Sequence, residues 1–341
     1  MNAGPRDKEE WQARQKEELL SLFFDLCKDE TPMVRRAAVE SISTLAPVLS
    51  LLQCQTQLHQ AIETLSTDQQ DSVRLLVIHA CIALCKVFNQ HQEEAPKLIA
   101  TKIIPITLKL MNDQAWRVRH VVAEHFHLLL KSIITTTNND EEDGTEATKA
   151  IIKENNAINQ ELIDGYSDLL VDHEPEVRTA AILKIGIIAQ LLGSDVTAKT
   201  FIEPIKNMAK DASQFTRAAL GNVIMSLSPI LSSSDIDEQL LPIFLQLLKD
   251  PDAQVRLNII SHLDVMTNNN ANLTEQLTES LLAAIMELAT DNQWRIRLAI
   301  IEQIPTLAKA LGAEDLIPDT DDFQKSLKEG IEDVYTQVPA K

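Results

Sequence analysis

DPDAQVRLNIISHLDVM, residues 250–266, decides the fold. An aspartate is followed by four residues, a β-branched residue and an arginine, and the chain then runs on with Val255, Ile259, Leu263 and Met266 as its regularly spaced apolar positions. That spacing puts all four on one stripe of an α-helix, because side chains at 3.6 residues per turn realign every third or fourth position. The same phrase recurs: DETPMVR from Asp29 to Arg35, DQQDSVR from Asp68 to Arg74, DQAWRVR from Asp113 to Arg119 and DHEPEVR from Asp172 to Arg178. It continues with DASQFTR from Asp211 to Arg217, DPDAQVR from Asp250 to Arg256 and DNQWRIR from Asp291 to Arg297. The arginines lie 39, 45, 59, 39, 39 and 41 residues apart. A period near forty predicts a stacked array of helix pairs, a kind of fold that binds more often than it catalyses.

The apolar columns extend this reading. They run Val34, Ala38, Ile42, Leu45; Val73, Val77, Cys81, Leu84; Val118, Val122, Phe126, Leu129; and Val177, Ala181, Ile185, Ile188. Then come Thr216, Leu220, Ile224, Leu227 and, in the last repeat, Ile296, Ile300, Ile304, Leu307, with Thr216 alone breaking a column. Ahead of each aspartate lies another apolar segment, such as LLSLFFDLC at 19–27 and LPIFLQLLK at 241–249, which reads as a first helix. Pro105, Pro204 and Pro242 are expected to open or bend theirs. The fold class predicted is therefore all-α, an α-α superhelix of about seven helix pairs. The array spans 17–312, with a polar segment at 1–16, an acidic insertion at about 135–156 and a degenerate tail at 313–341.

Composition agrees. Hydrophobic residues make up 45% of the 341, enough for a continuous core, while 4% aromatics and 8 glycines argue against sandwiches, propellers and Gly-rich nucleotide folds. Lys and Arg total 31 against 50 Asp and Glu, a net charge of −19 that repels phosphate backbones, so no nucleic-acid ligand is expected. No apolar run approaches a membrane span, and no membrane insertion is expected. Cys27, Cys54, Cys81 and Cys85 sit in apolar helical surroundings and read as buried, reduced side chains of a cytoplasmic or nuclear protein. HVVAEHFH, with His120, Glu124, His125 and His127, fits no metalloprotease spacing. No strained nucleophile turn or phosphate-cradling loop is legible, so no catalytic residue, metal site or cofactor is expected.

Asp at the turn between two helices can accept hydrogen bonds from free N–H groups at the start of the second helix. Arginine there is unfavourable for the helix dipole and needs another reason. A charge-assisted bond to the aspartate of its own or the adjacent repeat supplies one. The result is a structural ladder of Asp29, Arg35, Asp68, Arg74, Asp113, Arg119, Asp172, Arg178, Asp211, Arg217, Asp250, Arg256, Asp291 and Arg297 that holds the repeats in register. Trp116 and Trp294 share one slot between Asp and Arg, off the apolar stripe. They read as interface anchors, with packing over a neighbouring turn as the alternative.

Beyond the generic pattern, runs such as FFDLCKDETPMVRRAAVESISTLAPVL, MNDQAWRVRHVVAEHFHLL and ELATDNQWRIRLAIIEQIPTLAKALG resemble the HEAT-repeat scaffold (A, PR65-type) subunit of protein phosphatase 2A. The resemblance covers about 17–312, equivalent to about seven central repeats of that family. It implies a non-catalytic scaffold whose turns form a ridge and which works within a hetero-oligomer. On that ridge it implies regulatory-subunit contacts at Asp29, Glu30, Thr31, Pro32, Met33, Gln70, Asp71, Trp116 and Arg117, and catalytic-subunit contacts at Trp294 and Arg295. Gln293 stands where the family carries a lysine, and the insertion is foreign to the usual scaffold. Two other readings stay open: a shortened paralogue that binds regulatory subunits or other proteins without the phosphatase, and a transport-type HEAT adaptor.

Overall fold

The computed structural model describes residues 17–91, 93–134, 156–261 and 283–310. The expected segments at 1–16, 135–155 and 313–341 lie outside these residues, as do Leu263 and Met266 of the sixth column. All regular structure among the described residues is helical, and the chain divides into two compact units, Met1–Met208 and Ala209–Lys341.

In the first unit, α1 (17–26) and α2 (Pro32–Leu45) form the first pair. The second pair begins with Leu51–Gln53 and a π turn at Cys54–Leu58, and continues as α3 (His59–Leu65). Its second arm is a single turn, Asp71–Arg74, followed by α4 (Val77–Phe88). A further π turn, Ile99–Ile103, leads into α5 (Ile104–Met111), which pairs with α6 (Trp116–Ile134). Next come α7 (Asn156–Leu170), α8 (Pro175–Ile182), α9 (Ile185–Leu192) and α10 (Ser194–Met208). The second unit holds α11 (Gln214–Leu227), a π turn at Ile236–Leu240, α12 (Leu241–Leu248), α13 (Ala253–Ile260), α14 (283–288) and α15 (Trp294–Ala310).

Second helices pack on second helices. α4 lies between α2 and α6, α8 follows α6, and in the other unit α13 lies between α11 and α15. First helices form the other layer, with α7 between α5 and α10. The apolar columns are the cause: Val73, Val118, Val177, Val255 and Ile296 are fully buried at the head of their helices. Each such side chain contributes at most about 1.5–3 kcal/mol by leaving water. Thr216, the residue that breaks a column, is also fully buried.

The structure refines the expected second helices. Those of the second and fourth pairs are interrupted, at Leu75–Leu76 and at Leu183–Lys184, where the helical bonding lapses into turns. The prolines behave in two ways. Pro105 and Pro242 stand at the opening of α5 and α12, each just after a π turn, so their missing N–H falls where the bonding pattern changes. Pro204 instead lies inside α10. Gly193 ends α9 with φ +82, a left-handed conformation open to glycine without strain.

An aromatic cluster anchors the first unit. Tyr166 stacks on Phe126 at 4.6 Å and meets the edge of Phe201 at 6.4 Å. Its buried hydroxyl donates to the Ala181 carbonyl at 2.8 Å, with the Ala123 carbonyl at 3.3 Å. Three elements, α6, α7 and α8, are thereby tied at one point.

Candidate functional site

The turns between paired helices share one construction, built on the aspartate. Its Oδ1 accepts the backbone N–H two residues on: Thr31 at 2.7 Å, Gln70 at 2.9 Å, Ala115 at 2.8 Å and Glu174 at 2.9 Å in the first unit. Ser213, Asp252 and Gln293 donate likewise at 2.8 Å in the second unit. The N–H groups that the aspartate accepts belong to the residue immediately ahead of the second helix. The carboxylate closes a tight turn ahead of the helix, as Asp side chains do by bonding their own backbone. Capping falls to a later residue where a suitable side chain exists, as with Ser213 bonding the Thr216 N–H and Asp252 bonding those of Gln254 and Val255.

Arginine then uses both of the partners left open by the sequence. Its Nη1 donates to the carbonyl of its own repeat's aspartate, at 2.7 Å for Arg35, Arg74, Arg119 and Arg217 and at 2.6 Å for Arg178, Arg256 and Arg297. Its Nε and Nη2 fork onto the carboxylate of the following repeat. Arg35 meets Asp68 at 2.5 and 2.8 Å, Arg74 meets Asp113 at 2.6 and 2.8 Å, and Arg119 meets Asp172 at 2.6 and 2.8 Å. In the second unit Arg217 meets Asp250 at 2.7 and 3.0 Å, and Arg256 approaches Asp291 more loosely at 3.1 Å. One guanidinium therefore closes its own turn and holds the next, a task suited to its planar fork of donors.

The electrostatics follow from this packing. Burial pushes the carboxyls of Asp68 and Asp172 up, but the hydrogen bonds from Arg35 and Arg119, with a backbone N–H each, outweigh it and hold both below the usual value. Hydrogen bonds to the facing aspartates raise Arg35, Arg74, Arg119 and Arg217 against the opposing effect of burial.

Within each unit, several of the residues between Asp and Arg are exposed. In the first unit Glu30, Thr31 and Gln70 are exposed, Asp29, Pro32 and Asp71 are half-buried, and Met33 is 65% exposed. Trp116 opens α6, with the Arg117 guanidinium 5.3 Å over its ring and His120 against its edge at 6.2 Å. Arg117 also reaches Asp71 of the preceding turn at 3.8 Å, which joins two of the residues assigned to one surface. In the second unit Trp294, 52% exposed, opens α15 under Arg295 at 5.4 Å. Both indoles thus lie on their own helix beside an arginine. The structure adds a residue that the sequence reading leaves out: Phe215, 71% exposed, occupies the slot of Met33, two residues before the arginine. Its signal is present in the sequence, since it is a large apolar residue between Asp and Arg and off the helical stripe.

The four cysteines are buried. Burial pushes Cys27 up to about 11 and Cys81 to about 12. His79 and His125 meet edge to face at 4.4 Å, and His125 Nδ1 lies 2.9 Å from the Val121 carbonyl. Among the described residues, no group of three His, Cys, Asp or Glu is placed to hold a metal, and no helix is long and apolar enough to cross a membrane.

Known proteins share both the repeat and parts of the sequence. A family model described as PPP2R1A-like HEAT repeat matches 155–232, and one described as HEAT repeat matches 19–49 and 240–269. The beta isoform of the human 65 kDa A-type regulatory subunit of serine/threonine-protein phosphatase 2A is 41% identical over 108 residues, which is 30% of this chain and 18% of that protein. A probable phosphatase PP2A regulatory subunit of Caenorhabditis elegans is 46% identical over 68 residues, 20% of this chain and 12% of that protein. The aligned part of the chain thus spans less than a fifth of either relative. In fold, the chain resembles a solved structure of the Kap95p–RanGDP complex, with TM-score 0.56 and 13% identity over 87% of this chain and 36% of that one. The chain carries HEAT repeats and is homologous, over part of its length, to proteins named as regulatory subunits of protein phosphatase 2A.

Proposed function

We propose that this chain is a non-catalytic scaffold of a protein phosphatase 2A-type assembly, working in the cytoplasm or nucleus by presenting its turns to protein partners. The observation that carries the reading is the exposed aromatic–arginine pair at the head of a second helix, Trp116 with Arg117 and Trp294 with Arg295, on turns held by buried Arg–Asp forks. Interface anchors are enriched in tryptophan and arginine. In this reading the turn surface of the first unit, from Asp29 to Met33 with Gln70, Asp71, Trp116 and Arg117, receives a regulatory subunit. Trp294 and Arg295 contact the catalytic subunit, and Phe215 joins the partner-facing set. The homology to subunits named as regulatory supports assigning no chemistry to the chain itself.

Affinity capture of the tagged chain followed by mass spectrometry tests the proposal, with phosphatase activity assayed in the captured material. Recovery of regulatory and catalytic subunits is expected, with catalytic activity reduced on Trp294→Ala. Recovery of neither subunit refutes the reading. A second reading, binding of regulatory subunits without the phosphatase, is favoured by Gln293, an uncharged amide where the resemblance implies a lysine. Regulatory subunits captured without phosphatase activity would select it.

A further inference from the structure

The second helices of the first unit carry exposed apolar side chains beside their buried columns. Ten residues on from the column heads Val73, Val118 and Val177 stand Ala83, Leu128 and Ile187. The residue after each, Leu84, Leu129 or Ile188, is fully buried, so the three repeats keep one register to this point. Ala83 is buried too, but Leu128 is 41% exposed and Ile187 45%, and Leu183, one turn before Ile187, is 49% exposed. The helices that carry them are neighbours, with α6 packed between α4 and α8. His79 of α4 meets His125 of α6 at 4.4 Å, and the charge of Lys184, at the break between α8 and α9, adds to burial in lowering His127 of α6. Leu128, Leu183 and Ile187 therefore belong to one surface shared by adjacent second helices.

The charges around this surface run against the net −19 of the whole chain. Beyond their first turns, α4, α6, α8 and α9 with the break between them carry Lys86, Lys131 and Lys184 and one acidic residue, Glu124. Lys86 and Lys131 are exposed and stand three residues, about one turn, beyond the positions of Ala83 and Leu128. Exposed acidic side chains gather instead on a first helix, as Glu161, Asp164 and Asp168 do on α7.

We propose that this surface binds an acidic amphipathic helix of a protein partner, laid across α6 and the α8–α9 arm. Its apolar stripe rests on Leu128, Leu183 and Ile187, and its carboxylates face Lys86, Lys131 and Lys184. Spacing selects a helix as the occupant. Packed helices lie about 8–10 Å apart, so Leu128 and Ile187, at one level on neighbouring arms, are separated by about that distance. Residues seven apart on a helix repeat every ~10.5 Å, whereas same-face residues of a strand repeat every ~6.8 Å. Charge complementarity selects an acidic helix over a basic one. The surface leaves the turns open to the subunits proposed above, since Leu128 lies twelve residues, about 18 Å, along α6 from Trp116.

Fluorescence anisotropy with two labelled synthetic helices of about 18 residues tests this on the whole chain. One probe has leucine at every third or fourth position with glutamate and alanine between, and the other has lysine in place of glutamate. The glutamate probe is expected to bind, and the lysine probe to bind at least about tenfold more weakly. Leu128→Asp and Ile187→Asp should each weaken the glutamate probe at least about tenfold, since each sets a carboxylate against the stripe. Lys131→Glu combined with Lys184→Glu should reverse the preference between the probes. That reversal excludes misfolding as the cause of the losses, and circular dichroism of each variant checks the same point. Failure of the glutamate probe to bind, equal binding of both probes, or binding that none of these substitutions moves overturns the proposal. Self-association of the chain that Leu128→Asp abolishes assigns the surface to a second copy and also overturns it. Neither probe contains a phosphatase subunit, so these outcomes are independent of the role proposed for the turns.

Discussion

Truncating Arg119 to alanine removes the fork that joins the third and fourth turns across 53 residues of sequence, the longest separation among the ladder pairs described. Two bonds to Asp172 vanish, at 2.6 and 2.8 Å, together with those to the carbonyls of Asp113 at 2.7 Å and Gln114 at 3.4 Å. Single bonds to charged groups contribute about 1.5–3 kcal/mol, but bonds sharing one guanidinium do not add. Removing one partner of a buried pair costs about 3–5 kcal/mol, because the other charge is left without compensation. Asp172 keeps the Glu174 N–H, and the pair touches solvent at 15% and 8% side-chain exposure. The lower end, about 3 kcal/mol, is therefore expected. Arg117→Ala is the control: its pair with Asp71 is long and exposed, so at most about 0.5 kcal/mol is expected. Urea unfolding of the whole chain, followed by circular dichroism at neutral pH, compares the two.

The difference also carries a pH signature. The folded-state value of Asp172 lies below the ordinary 3.8, so the stabilisation is complete above that value and is lost as pH falls through the lowered one. The gap between wild type and Arg119→Ala should narrow in that acid window. Equal midpoints for Arg119→Ala and Arg117→Ala at neutral pH would refute the view that the buried fork holds adjacent repeats together.

Other perturbations probe the rest of the molecule. Tyr166→Phe keeps the stack on Phe126 but removes the donor to Ala181, and should cost about 1–2 kcal/mol in denaturant unfolding. A β-carbon on Gly221 would lie 2.7 Å from Asn258 Oδ1 and 2.8 Å from Ile259 Cδ1, so Gly221→Ala should destabilise the second unit by about 1–3 kcal/mol. The buried cysteines, with Cys27 raised to about 11 and Cys81 to about 12, should resist thiol labelling at neutral pH and react together on unfolding. Rapid labelling of the native chain would contradict their assigned burial.

The columns are legible in the sequence because a helical stripe is a local, periodic property: Val118, Val122, Phe126 and Leu129 lie on one face wherever the helix packs. The ladder partner is not, since Arg119 lies within reach of two aspartates and only stacking decides that its fork takes Asp172 while its Nη1 takes the Asp113 carbonyl. The second helices start one tight turn later than the aspartate suggests, because a carboxylate bonding two residues on resembles a cap in sequence. The breaks at Leu75 and Leu183 carry no glycine or proline and have no local signal. Phe215 is overlooked for a different reason: tryptophan, three residues before the arginine, is the conspicuous residue of the turn, whereas Phe215 stands one position nearer the arginine, in the slot of Met33.

The most direct test of the central claim, that the turn ridge is the partner-facing surface, is site-specific photocrosslinking. A photoreactive side chain is placed at Trp116, and in a second protein at Leu128, which is exposed on the same helix about 18 Å further along. Each is irradiated with a purified phosphatase 2A regulatory subunit. The expected result is a crosslink from position 116 and none from 128. Crosslinking from 128 alone, or from neither position despite measurable binding, would contradict the claim.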